Sequence, residues 1–271
     1  MNPGEYRIDR DPHPLRGRAV VVTGVSRRSG IGFAVACRLA AYGAHVLCHH
    51  YAPHDAQQPW GSDEIDAVLD GVRAHAIDGG RVEGIHADLT AAGAPESVIE
   101  RAVAEFGRID VLVCNQALSG SDGPIGTLTS EMLDRHWAVN TRASILLAQA
   151  FAEHHTDGDD GSIVFLTSGQ GMGPMPGEIT YATSKAALAG ITASIADGLA
   201  DRRIRVNTVN PGPVDTGYFT DEIREYVAPR FPGGRSAVPD DPARLIAWLA
   251  TGEASWVTGQ VINSEGGFRR A

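Results

Sequence analysis

Short apolar runs alternate with helix-patterned stretches from residue 19 to residue 263, and no other feature of the chain narrows its fold as much. Strands are expected at 19–23, 44–50, 81–87, 109–115, 162–168, 203–209 and 259–263. Helices are expected between them, at 30–42, 62–76, 94–107, 130–155, 181–201 and 240–250. The strand runs, such as Ala19-Val-Val-Val22 and Ile163-Val-Phe-Leu166, are apolar at consecutive positions, as strands covered on both faces must be. Strand, helix and strand in succession close as right-handed parallel crossovers. The chain therefore reads as α/β: one doubly wound, parallel, seven-stranded sheet with helices on both faces. With 43% apolar residues it can bury one substantial core, and neither a repeat nor a second domain interrupts the pattern.

Two places in this frame carry chemistry. Ala19–Thr23 runs into a glycine turn, Gly24…Gly30-Ile31-Gly32, and then into a helix. Strand, glycine turn and helix N-terminus together present backbone N–H groups to a pyrophosphate. The second place is marked by composition. Of 23 basic side chains, 22 are arginine and the only lysine is Lys185. It lies four residues after Tyr181, one turn along the same helix face. An ammonium about 4 Å from a phenol, at an effective dielectric of about 20, attracts the phenolate by about 4 kcal/mol. That is enough to bring a tyrosine from about 10 toward 7 before desolvation takes some back. Tyr181 is thus expected to exchange a proton near neutral pH. Ser168, thirteen residues upstream, ends a buried strand, and Asn140 lies inside the helical pattern 130–155.

Taken together, Gly24…Gly30-Ile31-Gly32, Asn140, Ser168 and Tyr181-x-x-x-Lys185 resemble the short-chain dehydrogenase/reductase family, in particular a bacterial subset similar to 3-oxoacyl reductases. The resemblance covers nearly the whole chain and implies a Rossmann-type sheet in the order 3-2-1-4-5-6-7. It implies Asn140, Ser168, Tyr181 and Lys185 as the catalytic set. Tyr181 would give the proton, Ser168 would hold the substrate oxygen, and Lys185 would hold the nicotinamide ribose. Asn140 would place a water that links Lys185 to solvent. For the cofactor it implies Gly24, Ser26, Arg27, Arg28, Gly30, Ile31 and Gly32 at the turn, with His50 and Tyr51 after strand two. It further implies Asp88 and Leu89 near the adenine, and Asn115, Gln116 and Ala117 after strand four. Tyr181 and Lys185 join these, with Pro211, Gly212, Val214 and Thr216 over the nicotinamide. A homotetramer or homodimer is also implied, built on helices 94–107 and 130–155 and on the last strand, with Ile145, Leu146, Leu147 and Phe151 contributing to both core and interface. The activity expected is reduction of a small or 3-oxoacyl-like ketone. Alcohol oxidation, imine reduction and a non-catalytic NADPH sensor are the alternatives.

The chain also departs from that pattern. Five residues, not three, separate Gly24 from Gly30, so Arg27 and Arg28 sit on a longer loop. Cys114, Gln116 and Ala117 replace the usual neighbours of Asn115, which puts that element's sheet-stabilising hydrogen bonds in question. Tyr51–Gly61 is a Pro-rich insertion after strand two. NAD-preferring enzymes commonly end strand two with an acid that binds the ribose 2′-hydroxyl. Here that position is His50, and no carboxylate follows until Asp55. Missing acid and added arginine both favour NADPH over NADH. The segment 213–239 lacks a clear period and reads as a lid. Tyr218, Phe219 and Phe231 are expected as its apolar wall, and Arg224, Arg230 and Arg235 as its basic rim.

A formal charge of −10 disfavours nucleic acid and anionic membranes as partners. No apolar run reaches the roughly 20 residues of a membrane span. Residues 1–17 read as a loose tail and not a signal peptide, which makes the cytoplasm the default location. Cys37, Cys48 and Cys114 lack metal-type spacing and read as buried apolar groups. His49, His50 and His54 read as a polar strand end over the cofactor's ribose in preference to a metal site, and Asp157–Asp160 as an exposed turn.

Overall fold

The computed structural model describes residues 10–77 and 79–270. Seven parallel strands, β1 (Ala19–Val22), β2 (His45–His50), β3 (Val82–His86), β4 (Val111–Cys114), β5 (Gly161–Leu166), β6 (Ile204–Asn210) and β7 (Val261–Asn263), form one sheet. Its order is β3-β2-β1-β4-β5-β6-β7, as the resemblance implies. In the register, Val21 lies beside Leu47 on one side and Leu112 on the other. Side chains alternate across the sheet with a period of two. Val20, Val22, Val46, Cys48, Val111 and Val113 therefore face one core, shared with helices α1 (Ile31–Ala41), α3 (Ile65–Arg73) and α9 (Asp240–Leu249). Val21, Leu47, Leu112, Cys114, Ile163 and Phe165 face the other, shared with α4 (Ala94–Phe106), α6 (Ala143–His154) and α7 (Ile179–Gly198). The three cysteines are free and buried.

Three elements differ from their expected form. The helix expected over 130–155 is α5 (Ser130–His136), a π-helical turn at Trp137–Arg142, and α6. The wider turn sits where Thr141 Oγ1 donates to the Ser184 carbonyl (2.8 Å) and Gln116 Nε2 donates to the Val139 carbonyl (3.2 Å). The Pro-rich insertion contains a short helix, α2 (Ala52–Ala56), with Pro53 in its first turn, where a missing N–H costs nothing. The segment 213–239 contains α8 (Asp221–Val227), capped by Thr220 Oγ1 accepting the Ile223 N–H. Both helices are too short for apolar periodicity to show in sequence. The first nine residues of the expected tail lie outside the described residues. Over the rest of it, Leu15 is buried and its N–H donates to the Tyr42 carbonyl (3.0 Å), so this part is docked against the end of α1. No helix among the described residues is long and apolar enough to cross a membrane.

Candidate active site

The strands all point their carboxyl ends at one side, where a cleft of about 1670 Å³ opens along the edge of the sheet. This is where an open α/β sheet binds ligands, beside the reversal of strand order between β1 and β4. The glycine turn is built for close approach. Gly24 has φ +72°, and a Cβ on Gly32 would lie 2.6 Å from both Asn115 Nδ2 and the Gly24 carbonyl. Gly32 is therefore a packing residue beneath the turn and does not line the cleft, whereas Gly24, Ser26, Gly30 and Ile31 do. Asn115 Nδ2 donates to the Thr23 carbonyl (2.9 Å) and the Gly24 carbonyl (3.1 Å), tying β4 to the turn. Thr23 Oγ1 donates to Gln116 Oε1, and Gln116 Nε2 donates to Ser144 Oγ (2.9 Å). The replaced Asn element thus keeps its stitching, with Gln116 extending it to α6.

The residue that braces the turn from β2 is His49, not His50. Its Nδ1 lies 3.3 Å from the Gly24 N–H, which can only donate, so Nε2 carries the proton and donates to the Ala87 carbonyl (2.9 Å). Burial lowers His49 to about 4, which keeps it neutral. His50 points to the opposite side of the strand, against His86, because one step along a strand reverses the face. It does not line the cleft; Tyr51 does. Asp88 and Leu89 are also in the wall. Burial raises Asp88, but hydrogen bonds from the Thr90 N–H and hydroxyl, together with the Tyr51 hydroxyl and nearby His86, outweigh it and hold the carboxyl below its ordinary value.

Ser168 follows β5, and Tyr181 and Lys185 stand one turn apart on α7; all three reach the cleft. Lys185 is buried and its Nζ donates to the Leu166 carbonyl (2.9 Å), which leaves it 5.8 Å from the Tyr181 ring centroid. Burial pushes Tyr181 up to about 12, with the nearby Ser168 hydroxyl working against it. Lys185 is pushed down to about 8, also by burial. The expected depression of Tyr181 by the lysine is not what the protein groups produce: the hydrogen bond to Leu166 holds the ammonium away from the phenol, and desolvation dominates. Asn140 is fully buried behind the wall. Its Oδ1 accepts the Leu118 N–H (2.6 Å), and its Nδ2 donates to the Leu118 carbonyl (3.1 Å) and Ser184 Oγ (2.9 Å). Its side chain is committed to joining the 115–122 loop to α7.

One residue here escaped the sequence reading. Asp122 accepts the N–H groups of Thr180 (3.0 Å) and Tyr181 (2.7 Å), so it caps α7 at the turn that carries the tyrosine. Its signal was the Ser-Asp-Gly-Pro turn at 121–124, which has no fixed distance to the helix it caps.

The two arginines of the long loop are both paired with carboxylates. Arg27 lines the cleft; its Nε donates to Asp55 (3.0 Å), its Nη1 to the Thr216 carbonyl (2.9 Å), and its guanidinium lies 5.4 Å from the Trp60 ring centroid. Trp60 Nε1 also donates to Asp55 (3.1 Å), and its ring meets Tyr218 edge-on at 6.2 Å. The insertion, the glycine loop and the 213–239 segment therefore meet across the cleft. Arg28 stands outside it, 57% exposed, with its N–H and Nε on Asp63. Ala117, Pro211, Gly212, Val214 and Thr216 complete the wall. Of the expected apolar wall, only Tyr218 faces the cleft. Phe219 and Phe231 are buried in a small core with Val214, Val227 and Ala237. Of the basic rim, Arg224 and Arg235 are held by Asp215 and Asp241, and only Arg230 lines the cleft, stacked on Tyr226.

Residues 24–269 match a family model described as enoyl-(acyl carrier protein) reductase. The uncharacterized oxidoreductase YjdA of Bacillus subtilis (strain 168) is 40% identical over 256 residues, covering 93% of this chain and 97% of YjdA. A short-chain dehydrogenase/reductase from Serratia marcescens BCRC 10948 superposes with a TM-score of 0.82 at 35% identity, covering 94% of this chain and 99% of that one. The reductase LugOII, described as promiscuous and as catalysing keto-reduction at C1 during lugdunomycin biosynthesis, superposes with a TM-score of 0.80 at 34% identity, covering 94% and 98%. The chain belongs to the short-chain dehydrogenase/reductase family and is an oxidoreductase of that type. The family's nicotinamide dinucleotide fits the residues present: the glycine cradle has no room for side chains, and the cleft runs on from it to Tyr181.

Proposed function

We propose that this protein is an NADPH-dependent reductase that converts a ketone to a secondary alcohol. The observation that carries the reading is that Ser168, Tyr181 and Lys185 line the same cleft as the glycine cradle. The backbone of Gly24, Ser26, Gly30 and Ile31 would hold the diphosphate, and Asp88 and Leu89 the adenine end. Asn115, Gln116 and Ala117 would flank the cofactor, with Pro211, Gly212, Val214 and Thr216 over its far ring. A bound nicotinamide supplies the hydride that reaches the carbonyl carbon. The Ser168 hydroxyl donates a hydrogen bond to the carbonyl oxygen and fixes its position. Tyr181 gives that oxygen its proton. With the phenol at about 12 by the protein's own groups, it is protonated throughout the neutral range, as a proton donor must be. The resulting phenolate is a stronger base than the Lys185 amine, so return of a proton from Lys185, relayed across the gap that its hydrogen bond to Leu166 leaves, runs downhill. Asn140 and Asp122 act at one remove, by holding the loop and the helix end that place Tyr181.

The choice of NADPH is supported by the carboxyl end of β2, where His49, His50 and Tyr51 provide no acid for a ribose 2′-hydroxyl. Asp55, the first carboxylate after it, is already engaged by Arg27 and Trp60. The segment 213–239 acts as a lid, and the chain works as a homodimer or homotetramer through the exposed edge of β7.

The test is a panel of α-tetralone, ethyl acetoacetate, acetoacetyl-coenzyme A and crotonyl-coenzyme A, with NADPH and NADH followed by absorbance. A ketone should be reduced with NADPH, and Tyr181→Phe should lower that turnover by orders of magnitude with cofactor binding kept. Turnover of crotonyl-coenzyme A alone would replace ketone by enoyl reduction. A wild type that prefers NADH would overturn the cofactor assignment.

A further inference from the structure

Behind the Ser168 loop lies a buried charge that the reaction above does not use. Glu265 follows β7 and is 6% exposed. Its carboxylate accepts both arms of the Arg270 guanidinium, Nη1 on Oε1 at 2.7 Å and Nη2 on Oε2 at 2.6 Å. Oε2 also accepts Asn210 Nδ2 at 2.9 Å, and Asn210 Oδ1 accepts the Gly212 N–H at 3.0 Å. The pair therefore reaches the Pro211–Gly212 turn on one side. Gly212 has φ +69°, and a Cβ on it would lie 2.4 Å from Glu265 Cβ, so the turn is seated directly on the acid.

On its other side, the guanidinium rests on the loop that begins at Ser168. A Cβ at Gly169 would be 2.5 Å from Arg270 Nη2, and a Cβ at Gly173 would be 2.7 Å from Arg270 Cδ. Both positions are glycine, and neither has the positive φ that would demand one. At both positions the first thing a side chain would meet is Arg270. Gly169, Gly173 and Arg270 all border the cleft, and Arg270 lies 5.3 Å from the Phe268 ring centroid. A bidentate, partly buried guanidinium–carboxylate pair has a fixed geometry, because the planar fork permits one arrangement.

We propose that Arg270 and Glu265 form a positioning pair, a wedge that sets the Ser168 loop and the Pro211–Gly212 turn at a fixed separation across the reacting centre. The inference rests on the reading of Ser168 given above. It makes the segment after β7 part of the catalytic geometry, acting through the Ser168 loop and the Pro211–Gly212 turn.

The test uses the full chain with the best ketone of the panel. Ser168→Ala, Arg270→Ala, Arg270→Lys and Gly173→Ala are compared for kcat, KM, cofactor Kd and Tm. Arg270→Ala should lower kcat by about tenfold to a hundredfold, the scale of a reacting group displaced by about 1 Å, with cofactor Kd little changed. Tm should fall as well, because Glu265 is left buried without its partner, and guanidinium rescue of kcat separates the two effects. Low millimolar guanidinium chloride should restore part of that loss in Arg270→Ala and do nothing for the wild type. Arg270→Lys should not restore it, since an ammonium lacks the fork. Gly173→Ala should share the defect by pushing an intact Arg270 aside. Wild-type kcat in Arg270→Ala beside an inactive Ser168→Ala overturns the wedge alone. So does a kcat loss that tracks a fall in Tm and resists guanidinium. Full turnover in Ser168→Ala overturns the reading of Ser168 and the wedge with it.

Discussion

Lys185 shows what a sequence discloses about a residue and what it withholds. The structure brings Ser168, Tyr181 and Lys185 to one cleft, and all three could be named from the sequence, since Tyr181 and Lys185 lie one helical turn apart and the family resemblance adds Ser168. The proton affinity of Tyr181 could not, because it depends on where the Leu166 carbonyl draws the ammonium and on how deeply the phenol is buried. With Lys185 at about 8, the group that refills the tyrosine loses its proton above that pH. Ketone reduction should therefore be level through neutral pH and decline above about pH 8; a kcat profile that rises through that range would contradict the role of Lys185. His49 was missed in favour of His50 by a single step of register. Burial holds it at about 4, against about 6.5 in the unfolded chain. The unfolded chain then binds more protons between those values, so the contribution of His49 is complete above about 6.5 and is lost as pH falls toward 4. Going from about pH 7.5 to about pH 5 should remove about 2 kcal/mol through this group. Urea unfolding of wild type and His49→Asn at both pH values checks this; equal losses in the two would assign the effect elsewhere.

At the scale of elements, the long strands and helices were legible because each buries a face with its own period. The elements that escaped were α2, α8 and the π-helical turn, whose causes lie elsewhere in the chain. The turn at Trp137–Arg142 answers to Gln116 and Ser184, and α2 is held by Arg27 and by Trp60 across a loop. Asp55 is the centre of that arrangement, since it accepts from both Arg27 and Trp60, while Arg27 also holds the Thr216 carbonyl. Asp55→Ala should free the guanidinium, loosen the 213–239 segment and hasten its cleavage in limited proteolysis several-fold, with the core of the protein still resistant. An unchanged cleavage rate would mean that the segment's own small core around Phe219 and Phe231 holds it without help.

For the whole molecule, strand order came from the family resemblance together with the handedness of crossovers, and the structure repeats it. The interface residues were harder to name. Leu147 and Phe151, expected to serve both core and interface, are fully buried in the chain's own core. The β7 edge is open, with Val261 44% exposed, and Trp256, five residues before that strand, is 98% exposed. Unpaired strand edges invite a second sheet or a covering chain. Light scattering should find a dimer or tetramer, and Trp256→Glu with Val261→Glu should shift it toward monomer; a wild type that is monomeric at micromolar concentration would remove the proposal. The bridge of Arg27, Asp55, Trp60 and Tyr218 has a consequence for the steady state. If the dinucleotide lies along the glycine turn as proposed, the bridge, which ties that turn to the 213–239 segment, would cover it and have to part for exchange. Turnover should then follow a compulsory order, coenzyme first on and last off. NADP⁺ should inhibit competitively against NADPH and the alcohol product noncompetitively, and with the bridge cut by Arg27→Ala together with Trp60→Ala that ordering should relax toward random addition.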